Sequence, residues 1–238
     1  MYVVLGASLG ASSVAGGIFL RRRYWVRIPT QDSVTPKMYK RWIKGRVTAV
    51  GDSDNFRLYH TPGFGWRWPF RFRKVPDNAR GQTISIRLAG IDAPEVSHFA
   101  GQEAQKYYEE SLKWLTNKIK GKTVYCKLMQ KDQYGRIIAL VYSRARWFPG
   151  TKNISMEMLR EGWAHVYEQS GGVYGDAKKE DYLAIQEQAK SKRRGIWKNP
   201  REEQEHPSEY KRRYAAATGI PEAAVSAAPN TSASGKKK

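Results

Sequence analysis

From Thr83 to Ala89 the chain alternates without a break, with Ile84, Ile86 and Leu88 on one face and Ser85 and Arg87 on the other. A period of two over this length is the pattern of a strand with one buried face. The strand then meets Gly90-Ile-Asp-Ala-Pro-Glu95, where Pro94 takes the chain out of regular structure. A purely structural strand gains nothing from an arginine on its polar face and two carboxylates just past its end.

The flanking sequence surrounds this strand with others. Lys44–Val50 and Asn55–His60 read as a hairpin around a tight Asp52-Ser53-Asp54 turn. Strands follow at Thr123–Met129 and Ile137–Tyr142. Between them the period changes: Ala104, Tyr108, Leu112, Leu115 and Ile119 mark a helical stripe within Gly101–Ile119, stopped at Gly121. Further helices are expected at Asn153–Glu161, ending at Gly162, and at Ala177–Arg194. Five short strands with helices between and after them predict an α+β fold with a mainly β core. The expected form is an OB-fold-like five-stranded barrel with about three packed helices.

The ends differ from this unit. Tyr2–Leu20 carries no charge, and Arg21-Arg22-Arg23 closes it. As a helix it would span roughly 28 Å, near the ~30 Å hydrocarbon thickness. Positive charge after the apolar run, rather than before it, favours an uncleaved transmembrane anchor over a signal peptide. The expected organisation is therefore an anchor with its arginine stop over 1–23, a linker over 24–40 and a folded domain over 41–200. A charged, Ala/Ser/Pro/Lys-rich tail over 201–238 is expected to be disordered, with room for a short helix at Ser208–Ala217.

Forty-two Lys and Arg against 22 acidic residues give a net charge of +20, so the expected partner is a polyanion, either nucleic acid or an anionic membrane. A lone cysteine, Cys126, excludes an intrachain disulfide and reads as a small core residue. Four histidines, His60, His98, His165 and His206, lack zinc-ligand spacing and read as loop or surface residues. No pattern calls for a small-molecule cofactor or fixes an oligomeric state.

Taken together, the polar residues at the strand ends form a chemical kit. Cleaving a phosphodiester requires neutralising the phosphate, positioning water and stabilising the extra charge of the transition state. Aspartates offer hard oxygen ligands for a cation such as Ca2+. A further carboxylate can activate or orient the water. Two arginines can fork onto the non-bridging oxygens as charge accumulates.

Three ordered stretches, Val50-Gly-Asp-Ser-Asp-Asn-Phe56, Arg87-Leu-Ala-Gly-Ile-Asp-Ala-Pro-Glu95 and Asp132-Gln-Tyr-Gly-Arg136, carry a resemblance to the staphylococcal nuclease (thermonuclease) family. Leu159-Arg-Glu-Gly-Trp-Ala-His-Val166 and the closing Gly-Ile-Trp197 support it, and the likeness covers about Gly45 to Trp197. With the N-terminal apolar run, the chain is most similar to the membrane-anchored fungal members, which implies a mitochondrial location. The resemblance implies a Ca2+-dependent endonuclease acting on DNA and/or RNA. It implies Asp54, Asp92 and the Ala93 carbonyl as metal ligands, Glu95 as general base, and Arg87 and Arg136 as phosphate-binding arginines. Tyr134 falls within the third stretch and is a candidate substrate contact.

Three departures stand out. The family's Asp-Gly-Asp-Thr turn reads Asp52-Ser53-Asp54-Asn55, with serine lacking glycine's freedom at positive φ. Ala93 replaces the common threonine. About twenty additional residues, 61–81, separate the hairpin from the Arg87 strand. In that insert Trp66, Trp68, Phe70 and Phe72 alternate with Arg67, Arg71 and Arg73. An extended ribbon of this kind can stack bases and follow phosphates, with Trp66, Trp68, Arg67 and Arg71 as candidate contacts. It can equally lie at a lipid interface or cover the barrel, and the pattern leaves all three open. The alternatives to an enzyme are a membrane-tethered binding module with weak catalysis and a membrane scaffold. The complete set Asp54, Arg87, Asp92, Glu95 and Arg136 favours the enzyme.

Overall fold

The alternating strand becomes one stave of a closed barrel. The computed structural model describes Val14 and residues 16–21, 25–63, 73–96, 104–144, 150–169, 171–199 and 207–218. Strands β1 (Trp42–Val50), β2 (Asn55–His60), β3 (Ile84–Leu88), β5 (Thr123–Lys131) and β6 (Ile137–Tyr142) close in the order β1-β2-β3-β6-β5. Neighbours are antiparallel except β3 and β6, which run parallel. Closure leaves no barrel strand with an unpaired edge. The inward residues, among them Phe56, Leu58, Ile86, Leu128 and Ile137, are fully buried. Cys126 lies with them, and burial pushes its thiol well above the ordinary range. A second, two-stranded sheet pairs β4 (Ile91–Asp92) with β7 (His165–Val166). Runs this short carry no periodic signal in the sequence.

Four helices follow the same reading with shifted ends. Helix α1 (Tyr108–Ile119) buries Tyr108, Ser111, Leu115 and Ile119. It starts later than Gly101 because Tyr107 takes a left-handed φ of 67°, and Ala104 is exposed rather than part of the stripe. Helix α2 (Ile154–Arg160) begins where the Asn153 side chain accepts the Met156 N–H, and Gly162 at φ 75° lies just past its end. Helix α3 (Lys179–Ser191) is shorter than the expected Ala177–Arg194, with Arg193 at φ 50° beyond it. Helix α4 (Pro207–Thr218) occupies the tail, which is therefore not wholly irregular, and Tyr210 on it is buried. The rest of 201–238 lies outside the described residues.

Residues 25–41 run under the barrel as a strap. Ile28 and Val34 enter the core. The Ile28 N–H donates to His60 Nδ1 at 2.9 Å, and the Arg27 guanidinium lies 3.8 Å from the Tyr59 ring centre. The Ser85 N–H donates to Gln31 Oε1 at 3.3 Å, and Lys131 pairs with Asp32 at 2.9 Å. His60 is thus a buried residue, as is His165 in β7, which packs edge-on to Trp197 at 4.9 Å. Both differ from the surface positions expected of them, because strand register, invisible in a lone histidine, carries them inward. Upstream, Val14 and residues 16–21 are helical, with Ile18, Phe19 and Leu20 exposed. Among the described residues no helix is long and apolar enough to cross a membrane. Most of the expected anchor lies outside them.

Candidate active site

Strand register brings the two aspartates together. Asn55 pairs with Arg87, so Asp54 stands one residue from the arginine across the β2–β3 ladder. The Leu88 N–H donates to the Asp54 carbonyl at 2.9 Å and fixes that relation. Beyond β3 the chain reverses at Gly90, at φ 75°, where a Cβ would lie 2.8 Å from the Tyr182 ring. Only glycine fits this turn without displacing the ring. The reversal feeds β4, whose Asp92 pairs with His165.

Arg87 lies between the two carboxylates. Its Nη1 is 2.6 Å from Asp54 Oδ2, and its Nη2 donates to Asp92 Oδ1 at 2.9 Å. Asp54 and Asp92 are 2% and 1% exposed, and Glu95 is 8% exposed. The Ser53 hydroxyl donates to the Pro94 carbonyl at 2.6 Å, joining the hairpin turn to the Asp92–Glu95 segment. The Glu95 N–H donates to Gln105 Oε1, and the Gln105 N–H donates back to the Glu95 carbonyl, both at 3.0 Å. Ser53 does not adopt a positive φ, so replacing glycine here does not strain the turn.

Arg136 approaches from the β5–β6 turn. Asp132 accepts from its Nε at 2.7 Å and from its backbone N–H at 2.8 Å, while Gly135 at φ 79° shapes the bend. The Arg136 guanidinium lies 5.1 Å from the Tyr134 ring centre. Arg87, Asp92, Tyr134 and Arg136 line one cleft of about 610 Å3, with Lys131 and Tyr167 on its walls.

The charges are strongly coupled. Burial works against the Arg87 charge, but Asp54, Asp92 and Glu95 outweigh it and move its pKa upward. Asp52 is pushed well above the usual carboxylate range, first by burial and then by the charges of Glu95 and Asp54. Arg87 thus bridges Asp54 and Asp92, and Asp52 and Glu95 lie near enough to act on the same charges.

The donor set suits a hard cation. Asp54 Oδ2 is buried, and its close partner is the Arg87 guanidinium. Asp54, Asp92 and the buried Ala93 offer oxygen atoms only, as Ca2+ requires. Among the described residues no three His, Cys, Asp or Glu side chains form a group that could hold a metal ion.

The staphylococcal nuclease homologue family model matches residues 85–199. A protein described as "Probable endonuclease LCL3" from Schizophyllum commune (strain H4-8 / FGSC 9210) is 50% identical over 226 residues, covering 91% of this chain and 76% of its own length. The chain belongs to the staphylococcal nuclease family. Proteins with the same description from Coccidioides posadasii (strain C735) and Uncinocarpus reesii (strain UAMH 1704) are each 44% identical. They cover 87% and 85% of this chain, over 70% and 71% of their own lengths.

Within this staphylococcal nuclease fold, the residues marked by sequence divide three ways. Asp54, Arg87, Asp92, Ala93 and Glu95 come together in one buried region. Arg136 and Tyr134 share a cleft with Arg87 and Asp92. Trp66, Arg67, Trp68 and Arg71 lie outside the described residues. Sequence reasoning left Ser53, Gln105 and Tyr167 without roles, and assigned Asp132 to a turn rather than to holding Arg136. Only Tyr167 had a usable signal, since it directly follows the supporting stretch that ends at Val166.

Proposed function

We propose that this protein is a Ca2+-dependent endonuclease that hydrolyses phosphodiester bonds of DNA and/or RNA while held to a membrane by its N-terminal segment. The observation that carries the reading is the gathering of buried Asp54, Asp92 and Glu95 about Arg87, with Arg136 lining the same cleft as Arg87, in a chain of net charge +20. The printed descriptions of its relatives as endonucleases support the same reaction class.

Asp54, Asp92 and the Ala93 carbonyl are the ligands proposed for Ca2+, which when bound neutralises phosphate charge and favours attack by water. Arg87 binds a non-bridging phosphate oxygen by exchanging part of its contact with Asp54 and Asp92. Its fork geometry suits the charge that develops as phosphorus gains a fifth oxygen. Arg136 binds from the same cleft, its Nε already occupied by Asp132, so its terminal nitrogens take the phosphate. Glu95 accepts the proton of, or orients, the attacking water. Tyr134 offers a ring to a base or sugar. The leaving group is read as the 5′-hydroxyl, with the phosphate left on the 3′ side, as the family resemblance implies.

The test is cleavage of circular single-stranded DNA by the full chain in detergent, with Ca2+, with Mg2+ alone and with chelator. Nicking only with Ca2+ is the expected result, and a circle has no ends, so it also establishes endonucleolytic cutting. Binding without cleavage in every condition would instead support a membrane-tethered binding module. The membrane and mitochondrial parts of the proposal are tested separately. Full chain expressed in a fungal cell should resist alkaline extraction and fractionate with mitochondria, and release by alkali would remove the anchor.

A further inference from the structure

Two loops carry the acidic residues, and each is short, so something must hold them in register before a cation arrives. The first contains Asp52 and Asp54, the second Asp92 and Glu95. Mutual repulsion of these groups opposes their approach, and Arg87 pairs directly with one carboxylate of each loop, Asp54 and Asp92. Beside Arg87, a direct polar link between the loops is the 2.6 Å hydrogen bond from Ser53 Oγ to the Pro94 carbonyl. Both of its ends are buried, with Ser53 2% exposed, so water does not compete for either group. The adjoining residue is gripped as well. Gln105 accepts the Glu95 N–H through its side chain and donates its own N–H to the Glu95 carbonyl. Backbone on both sides of the Pro94–Glu95 peptide is thereby fixed.

We infer that Ser53, with Gln105 behind it, is a positioning residue that locks the two acidic loops in the spacing a calcium ion needs. This rests on the calcium reading above. The serine thus has a purpose where the family pattern has glycine: it gives up backbone freedom the turn does not use and gains a hydroxyl that spans the loops. Preorganising ligands in this way lowers the cost of ordering them upon binding. A single buried hydrogen bond has a net worth that corresponds to roughly tenfold in a binding constant.

The experiment is calorimetric titration of the full-length protein in detergent with Ca2+ alone, without nucleic acid, beside thermal melts in chelator. Ser53→Ala should weaken Ca2+ binding about tenfold, and Ser53→Thr, which keeps the hydroxyl, should stay within about twofold of wild type. The metal-free melting temperature should fall by only about 2–4 °C with a single cooperative transition kept, which separates positioning from a general loss of fold. Should Ser53→Ala fail to fold, Gln105→Met against Gln105→Glu makes the same comparison at the second grip. Equal affinity in wild type and the Ala variant overturns the inference while leaving the calcium site intact. A wild type that binds no Ca2+ overturns the calcium reading, and this inference with it.

Discussion

The barrel holds ionisable groups in two regions by opposite means. Around Arg87, charge is set against charge: buried carboxylates crowd a buried guanidinium, and tethers at Ser53 and Gln105 restrain the loops. Around His60, charge is removed: the ring is buried beneath the strap and its pKa is lowered to about 3. Burial is the first cause, followed by the charges of Arg41, Arg27 and Lys44. Under the proposed reaction the first region must change partners, whereas the His60 ring accepts the Ile28 N–H beneath the strap. The lesson is that burial alone does not mark a reactive group. What distinguishes the Arg87 region is several acidic side chains gathered about one guanidinium beside an open cleft.

The comparison is broken most severely by removing the carboxylate proposed to serve the attacking water. Glu95→Gln is expected to lower the cleavage rate by about 10²–10⁴-fold with nucleic-acid binding and fold retained. Equal turnover in single-turnover assays would take Glu95 out of the chemistry. Arg87→Lys comes next, with a loss of about 10²–10³-fold, because an ammonium cannot fork onto two phosphate oxygens. Wild-type rates in that variant would contradict the assigned role.

In the other region, the effect is on stability. A neutral His60 in the fold, against an ordinary value of 6.5 unfolded, means the unfolded chain binds the extra proton. Its contribution is complete above pH 6.5 and is lost as pH falls toward 3, by at most about 1.4 kcal/mol per pH unit. His60→Gln, which keeps an acceptor for the Ile28 N–H, should flatten the urea-unfolding profile over that window. An unchanged acid slope would mean that His60 titrates freely.

The smallest effect is expected at Asp52. Its raised pKa makes the ionised form unfavourable in the fold, so stability falls as pH rises above the unfolded value of about 3.9. Asp52→Asn should therefore raise the melting temperature at pH 7 in chelator by about 2–4 °C, the shift expected for about 1 kcal/mol in a domain of this size. No gain should appear near pH 3, and a gain at both would show that charge is not the cause.

The sequence was most legible where a period repeats over several residues. The alternation through Ile84, Ile86 and Leu88 and the stripe through Tyr108, Leu115 and Ile119 locate β3 and α1 because burial imposes their spacing. Their order, with helices between strands, is enough to anticipate the barrel. The site residues Asp54, Arg87, Asp92 and Glu95 stood out because turns and strand ends seldom need such groups together. What escaped was anything set by a contact between distant segments. The two-residue pairing of Ile91–Asp92 with His165–Val166 has no period to read. Residues 24–40 look like a polar connector, yet Ile28 and Val34 reach the core through contacts their neighbours do not foretell. The hydroxyl of Ser53 is equally mute until Pro94, 41 residues away, is seen above it.

The strap also governs how far the barrel can wander. Ile28 is locked under the barrel, and the Trp25 and Val26 N–H groups both fold back onto the Arg21 carbonyl. Seven residues at most about 3.5 Å each cannot exceed about 25 Å even if fully drawn out. Whatever grips the apolar residues ahead of Arg21 consequently holds the nuclease on a short leash. The enzyme would patrol a thin layer above its mooring, and nucleic acid would have to come to that layer to be cut.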